Sequence, residues 1–275
     1  MKPEKERLPV LICGATALGV AAAVRMGNRA VLVEKSGLVA WEFAASFEPG
    51  EGPWEAVSSE GRELQEELFR REVLSSRGTH IQGAAPVFFR IIRDMGIMVH
   101  FLTQVADIRQ QGDAYAVTLV DSAGFHTLRA AAILDTTSLG ETRSQPERGF
   151  CKSLNAVLAP AGPEFQPPVS RNPFVSVVPG NFSDEYYLRY RLEPTDTLAE
   201  ARRKLFSFWE KREPGLAGWQ IAAVSPFLSV RAAPGPIEAA SRWIWAPSAG
   251  CRNLLEAYET GLKLSVPGLD GGALR

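Results

Sequence analysis

Four apolar residues in a row, Val10-Leu11-Ile12-Cys13, run straight into Gly14-Ala15-Thr16-Ala17-Leu18-Gly19. An apolar residue at every position, rather than at alternate ones, suits a strand covered on both faces, as in a parallel sheet. The small residues from Val20 to Met26 predict a helix opening at Gly19, and Ala30-Val31-Leu32-Val33 is a second apolar run that closes on Glu34. Strand, glycine turn, helix and strand within about 30 residues make a βαβ unit. No other stretch of the chain restricts the fold as much.

Gly14 to Gly19 stands where a dinucleotide fold carries G-x-G-x-x-G, and Glu34 follows Gly14 by 20 positions, near the spacing of a carboxylate that accepts ribose hydroxyls. The first glycine permits a tight turn, the last lets helix and strand pack closely, and free N–H groups at the helix start face a pyrophosphate. Thr16 holds the place of the middle glycine. Its β-branch adds bulk where backbone and pyrophosphate would meet, while its hydroxyl offers a donor to a phosphate oxygen. The competing explanation is any α/β domain with a glycine-rich turn. Leu8 to Val24 behind Lys2, Lys5 and Arg7 also outlines a secretory signal, with Cys13 as a lipoprotein-like cysteine. Glu4 and Glu6 in the flank, and Ile12 before the cysteine, favour the strand-to-helix reading.

Trp41 to Pro53 reads as loop, Glu60 to Ser75 as an amphipathic helix, and Ala85 to Met95 as a helix stopped by Gly96. After Ile97 to Phe101 come Gln104 to Arg109, Tyr115 to Val120 and Phe125 to Arg129, spaced as an antiparallel meander, and then the apolar run Ala131 to Asp135. From about Glu141 prolines become frequent and buried parallel-type runs disappear, which places a domain boundary near 145. Phe174 to Val178 and Tyr186 to Leu192 read as strands. Thr197-Leu198-Ala199-Glu200 is a capping box opening a helix to Arg212. Gln220 to Val230, Arg242 to Trp245 and Asn253-Leu254-Leu255 read as extended, with a glycine-rich tail beyond.

Val10 to Gly37, the meander of 104 to 129, and Ala131-Ala132-Ile133-Leu134-Asp135-Thr136-Thr137 together resemble the FAD-dependent oxidoreductases whose FAD-binding domain is of the glutathione-reductase type. Weaker similarity continues in Leu228-Ser229-Val230-Arg231 and Asn253-Leu254-Leu255-Glu256-Ala257. The resemblance implies FAD as cofactor, with Gly14, Thr16 and Gly19, and their neighbours Ala15 and Leu18, at the pyrophosphate. It puts Glu34, beside Lys35, at the ribose, Val105 at the adenine through its backbone, and Thr136 and Thr137 across the pyrophosphate. Thr137 stands in place of a glycine of the second motif. Arg231-Ala232-Ala233-Pro234 replaces an Arg-Glu-x-x-Arg stretch, and Glu256-Ala257-Tyr258-Glu259 replaces an Ala-Gly and glycine-rich segment beside the flavin.

The expected fold is α/β: a Rossmann-like dinucleotide-binding domain with a parallel sheet and an antiparallel meander, made of 1–145 and 246–275, and a smaller α+β domain, 146–245. The implied function is FAD-dependent hydride transfer between a small organic substrate and the flavin, with no catalytic residue named. The alternative is a degenerate, non-catalytic homologue acting as scaffold or partner subunit. An NAD-only dehydrogenase is disfavoured by the meander. Thirty Lys and Arg against 31 Asp and Glu leave a net charge of -1 without a basic run, so no nucleic acid is expected. The Leu8 to Val24 run is short for a span of about 20 residues, so no membrane is expected either. Cys13, Cys151 and Cys251 are three and widely spaced, which predicts a reducing, cytoplasmic protein. Cys13 is expected in the core and Cys151 in a loop. His80, His100 and His126 lack ligand spacing, and no metal is expected. Trp243-Ile244-Trp245 predicts a strand with one tryptophan buried and one exposed, a surface for a protein partner or a second copy.

Overall fold

The computed structural model describes residues 8–52, 54–142, 150–233 and 235–266. The basic flank Lys2, Lys5 and Arg7, the expected boundary near 145, Pro234 and the glycine-rich tail from 267 lie outside them.

The βαβ unit forms as its pattern predicts, with β1 (Val10–Cys13), α1 (Ala17–Met26) and β2 (Ala30–Glu34). Next come α2 (Ser59–Arg70), α3 (Ala84–Asp94) and β3 (Val99–Phe101). The meander is β4 (Gln104–Gln111), β5 (Ala114–Asp121) and β6 (Gly124–Ala130), paired antiparallel, and β7 (Ala132–Asp135) follows it. Then come β8 (Cys151–Pro160), β9 (Val175–Pro179), β10 (Tyr186–Leu192), α4 (Leu198–Glu210), β11 (Trp219–Val224) and β12 (Ser229–Arg231). The described chain closes with β13 (Ile237–Ala240), β14 (Trp243–Trp245) and α5 (Leu254–Lys263).

A six-stranded sheet runs in the order β13-β14-β7-β1-β2-β3, parallel except at the β13–β14 pair. Every residue of β1, β2 and β7 is buried, the physical counterpart of their unbroken apolar runs. Their alternation splits between two cores. Val10, Ile12, Leu32 and Leu134 pack with α1, α3 and α5, while Leu11, Cys13, Val33 and Ile133 pack under Tyr115, Val117 and Leu119 of the meander. The fold is thus the α/β Rossmann-like arrangement with an antiparallel meander. A second sheet, β11-β8-β10-β9 with β12 beside β8, is antiparallel and buries Leu154, Leu158, Leu188 and Trp219 against Ala201 and Leu205 of α4. The Thr197–Glu200 capping box is present in both directions.

Three local expectations are corrected. Asn253-Leu254-Leu255 is no strand. Asn253 caps α5, its side chain accepting from Glu256 N, and the helix outcompetes an extended run because Leu254, Leu255 and Tyr258 then share a buried face. Cys151 opens β8 instead of lying in a loop. The Arg242 to Trp245 run is extended as expected, forming β14 parallel to β7 although it follows the proline-rich stretch. Trp245 is buried, but Trp243 is half-buried rather than exposed, because it packs edge-on against Tyr115 at 5.8 Å.

Candidate functional site

Gly14 ends β1 at φ +95°, a left-handed conformation that glycine adopts without strain. The turn it makes points the start of α1 at the C-terminal ends of β1, β2 and β7, where open α/β sheets place ligands. Gly19 is required by proximity, since a Cβ there would lie 2.8 Å from Thr136 Oγ1 and closer still to the Gly14 carbonyl. Thr16 caps α1, its hydroxyl accepting from Gly19 N at 3.0 Å and donating to Thr136 Oγ1 at 2.7 Å. The two sequence motifs therefore touch through the threonines.

A cavity of about 180 Å³ opens beside this contact, lined among others by Cys13, Gly14, Glu34, Lys35, Val105 and Glu141. Four of the expected site residues, Gly14, Glu34, Lys35 and Val105, share it. Ala15, Thr16, Leu18 and Gly19 sit behind it at the α1 start, and Thr136 and Thr137 follow β7. Lys35 pairs with Glu141 at the cavity wall. A larger, more open cavity of about 520 Å³ shares Val105, Glu141 and Thr142 and extends to Asp107 and Trp243.

Glu34 is buried, and burial raises its carboxyl pKa against the opposing hydrogen bonds from Ser36 and Ala15. Its oxygens accept from Ala15 N, Ser36 N and Ser36 Oγ at 2.7 to 2.9 Å. A carboxylate offers about four acceptor positions, so about one is left for a ribose hydroxyl. Asp135 has none left: it accepts from Thr137 N and Oγ1 and from Thr142 N and Oγ1, and so shapes the turn after β7. The Cys13 thiol is raised well above its ordinary range, first by burial and then by Asp135, Glu141 and Glu34, which makes it an inert wall.

Glu42 was invisible to motif reading. Residues 41–47 form a turn, tied down at its start by Ala40 N donating to Ala15 O at 2.8 Å, and it carries Glu42 to the start of α1. There Glu42 Oε1 accepts from Ala17 N at 2.8 Å and from Ser248 Oγ at 2.6 Å, while Ser248 Oγ also accepts from Leu18 N at 3.3 Å. The available signal was a lone carboxylate inside the apolar stretch Val39-Ala40-Trp41-Glu42-Phe43-Ala44-Ala45.

Among the described residues, no group of three or more His, Cys, Asp or Glu is placed to hold a metal ion. No described helix is long and apolar enough to cross a membrane.

Residues 9–143 match the family model described as FAD dependent oxidoreductase, and FAD is the cofactor this match assigns. No curated protein sequence matches the chain. Among solved structures, p-nitrophenol 4-monooxygenase from Pseudomonas putida is similar at TM-score 0.58 and 16% identity, over 93% of this chain and 76% of its own. L-proline dehydrogenase from P. horikoshii is similar at TM-score 0.60 and 12% identity, over 93% and 91%. Aklavinone-11 hydroxylase, solved with FAD and aklavinone, is similar at TM-score 0.56 and 13% identity, over 95% of this chain and 61% of its own. At these identities the likeness is one of fold.

The residues present fit the adenosine half of FAD, with an acceptor position on Glu34 and the backbone of Val105 at one cavity. They do not fit its pyrophosphate in this conformation. The N–H groups of Ala17, Leu18 and Gly19 are already taken by Glu42, Ser248 and Thr16.

Proposed function

We propose that this chain is an FAD-dependent oxidoreductase acting on a small organic substrate. The observation that carries the reading is the meeting of Gly14, Glu34, Lys35 and Val105 at one cavity, with the Gly14–Gly19 turn tied to the Asp135-Thr136-Thr137 strand end by the Thr16–Thr136 hydrogen bond. When bound, FAD supplies hydride transfer, and the protein supplies binding, orientation and electrostatics. In this reading Glu34 accepts a ribose hydroxyl, Val105 offers its backbone to the adenine edge, and Asp135 keeps the wall of 137–142 in place. Residues 1–145 and 246–275 would serve the cofactor and 146–245 the substrate, with β13 and β14 of the latter completing the six-stranded sheet.

The test is a fluorescence titration of the purified protein with FAD, followed by anaerobic mixing of the FAD-supplemented protein with a panel of small organic donors. Saturable quenching, and bleaching of the visible flavin band that depends on protein, are the expected results. Absence of saturable binding at any FAD concentration overturns the reading.

A further inference from the structure

The start of a helix carries unpaired N–H groups and a partial positive charge, which is why anions settle there. In this chain a side chain already fills that place. Glu42 is 4% exposed, and its Oε1 takes the Ala17 N–H and the Ser248 hydroxyl. The second oxygen, Oε2, is a buried acceptor without a hydrogen-bond partner. Leaving such an atom unpaired costs free energy, so the carboxylate is held in position by its other contacts despite that cost. The turn beneath it is committed to the same end. Ala40 sits at φ +47°, a left-handed conformation unfavourable for an alanine, and is anchored to Ala15 O.

We propose that Glu42 is this chain's own anion in the seat of the cofactor's pyrophosphate, so that the cavity takes adenosine without a diphosphate at least as readily as it takes the dinucleotide. The inference rests on reading the cavity beside Glu34 as the adenosine site. A pyrophosphate entering the seat would have to break the Ala17 and Ser248 bonds and stand against a carboxylate. A nucleoside held by Glu34 and Val105 meets neither obstacle. Glu42 is the carboxylate at about pH 8.5, above its raised value, and the titrations are read there. Burial pushes its carboxyl up to about 7, the Ser248 and Ala17 bonds lower it, and Glu34 raises it. Cys251, close enough to feel Glu42, is itself pushed up to about 11 by burial.

The experiment is isothermal titration of wild-type protein, Glu42→Ser and Glu42→Gln with adenosine and, separately, with FAD, after thermal melts show that each variant is folded. Wild-type protein should bind adenosine at least as tightly as FAD. Glu42→Ser should tighten FAD by about tenfold or more, the scale of a favourable helix-terminus charge, and leave adenosine unchanged within about twofold. Glu42→Gln keeps an acceptor for Ala17 N without the charge, so it should shift FAD in the same direction by less and serves if the serine variant does not fold. Equal FAD affinity in all three proteins, or wild-type FAD binding about tenfold tighter than adenosine, overturns the inference and leaves the oxidoreductase reading standing. Failure of every protein to bind either ligand overturns both.

Discussion

Thr16 Oγ1 donates to Thr136 Oγ1 at 2.7 Å, joining two residues 120 positions apart. The threonine that departs from the glycine pattern is therefore a tie between the first and second motif strands. Thr136 Oγ1 in turn reaches the carbonyls of Cys13 at 2.9 Å and Gly14 at 3.1 Å.

Replacing Thr16 with alanine removes both the cap on Gly19 N and the donor to Thr136. A lost cap costs about 1 kcal/mol, and a buried partner left unpaired adds about 1 kcal/mol or more. Urea denaturation of Thr16→Ala should show a loss of roughly 2 kcal/mol, and Thr16→Ser should recover most of it.

Arg189 ties β10 to the loop of residues 48–51, pairing with Glu48, whose side chain is 4% exposed, and with the half-exposed Glu51. Truncating one partner of a buried pair strands the other charge, at about 3–5 kcal/mol, whereas an exposed partner contributes about 1 kcal/mol or less. Arg189→Ala should therefore lower the melting temperature steeply and Glu51→Ala hardly at all. Equal shifts would show that the Glu48 contact does not hold this loop to β10.

Helix α5 lies directly on α1 at Gly261, where a Cβ would sit 2.7 Å from Ala21 Cβ and 3.1 Å from Ala22 N. Alanine in a helix interior ordinarily gains about 1 kcal/mol over glycine, but overpacking costs about 1–3 kcal/mol. Gly261→Ala should destabilise on balance, whereas Gly37→Ala, with nothing within 4 Å, should stay within about 0.5 kcal/mol of wild type. Chemical denaturation of the two variants decides it.

His80 Nδ1 lies 2.7 Å from Glu185 Oε1, which also accepts from Tyr187 at 2.7 Å. The bond to Glu185 raises the imidazole above its ordinary 6.5, against partial burial. Burial pushes Glu185 up, but the His80 and Tyr187 bonds and the His80 charge outweigh it and bring the carboxyl below 4.5. A raised histidine contributes stability that is full below pH 6.5 and fades as pH rises through its folded value. A depressed carboxylate contributes stability that is full above pH 4.5 and fades as pH falls through its folded value. The stability difference between wild type and Glu185→Gln should therefore be largest between about pH 4.5 and 6.5 and shrink on both sides, read by denaturation across pH.

The sequence by itself determined the elements whose signal is local along the chain. The unbroken runs of β1, β2 and β7, the spacing of the meander and the Thr197 capping box are legible because each repeats or closes within a few residues. Gly14 and Glu34 could be named from a local turn and strand end, and Val105 from the resemblance alone; the three line one cavity. Asn253 was misread because an apolar pair after a polar residue fits a strand and a capped helix equally, and only the packing of α5 on α1 decides between them. Tertiary structure alone brought Glu42 to Ala17 N, 25 positions away, and Ser248 to Leu18 N, 230 positions away. Side-chain meetings at such separation follow from how packed layers and loops come together, and no periodicity in the chain encodes them. The chain announces a dinucleotide fold in its first strand, and the packing of a distant turn decides what the start of its first helix can hold.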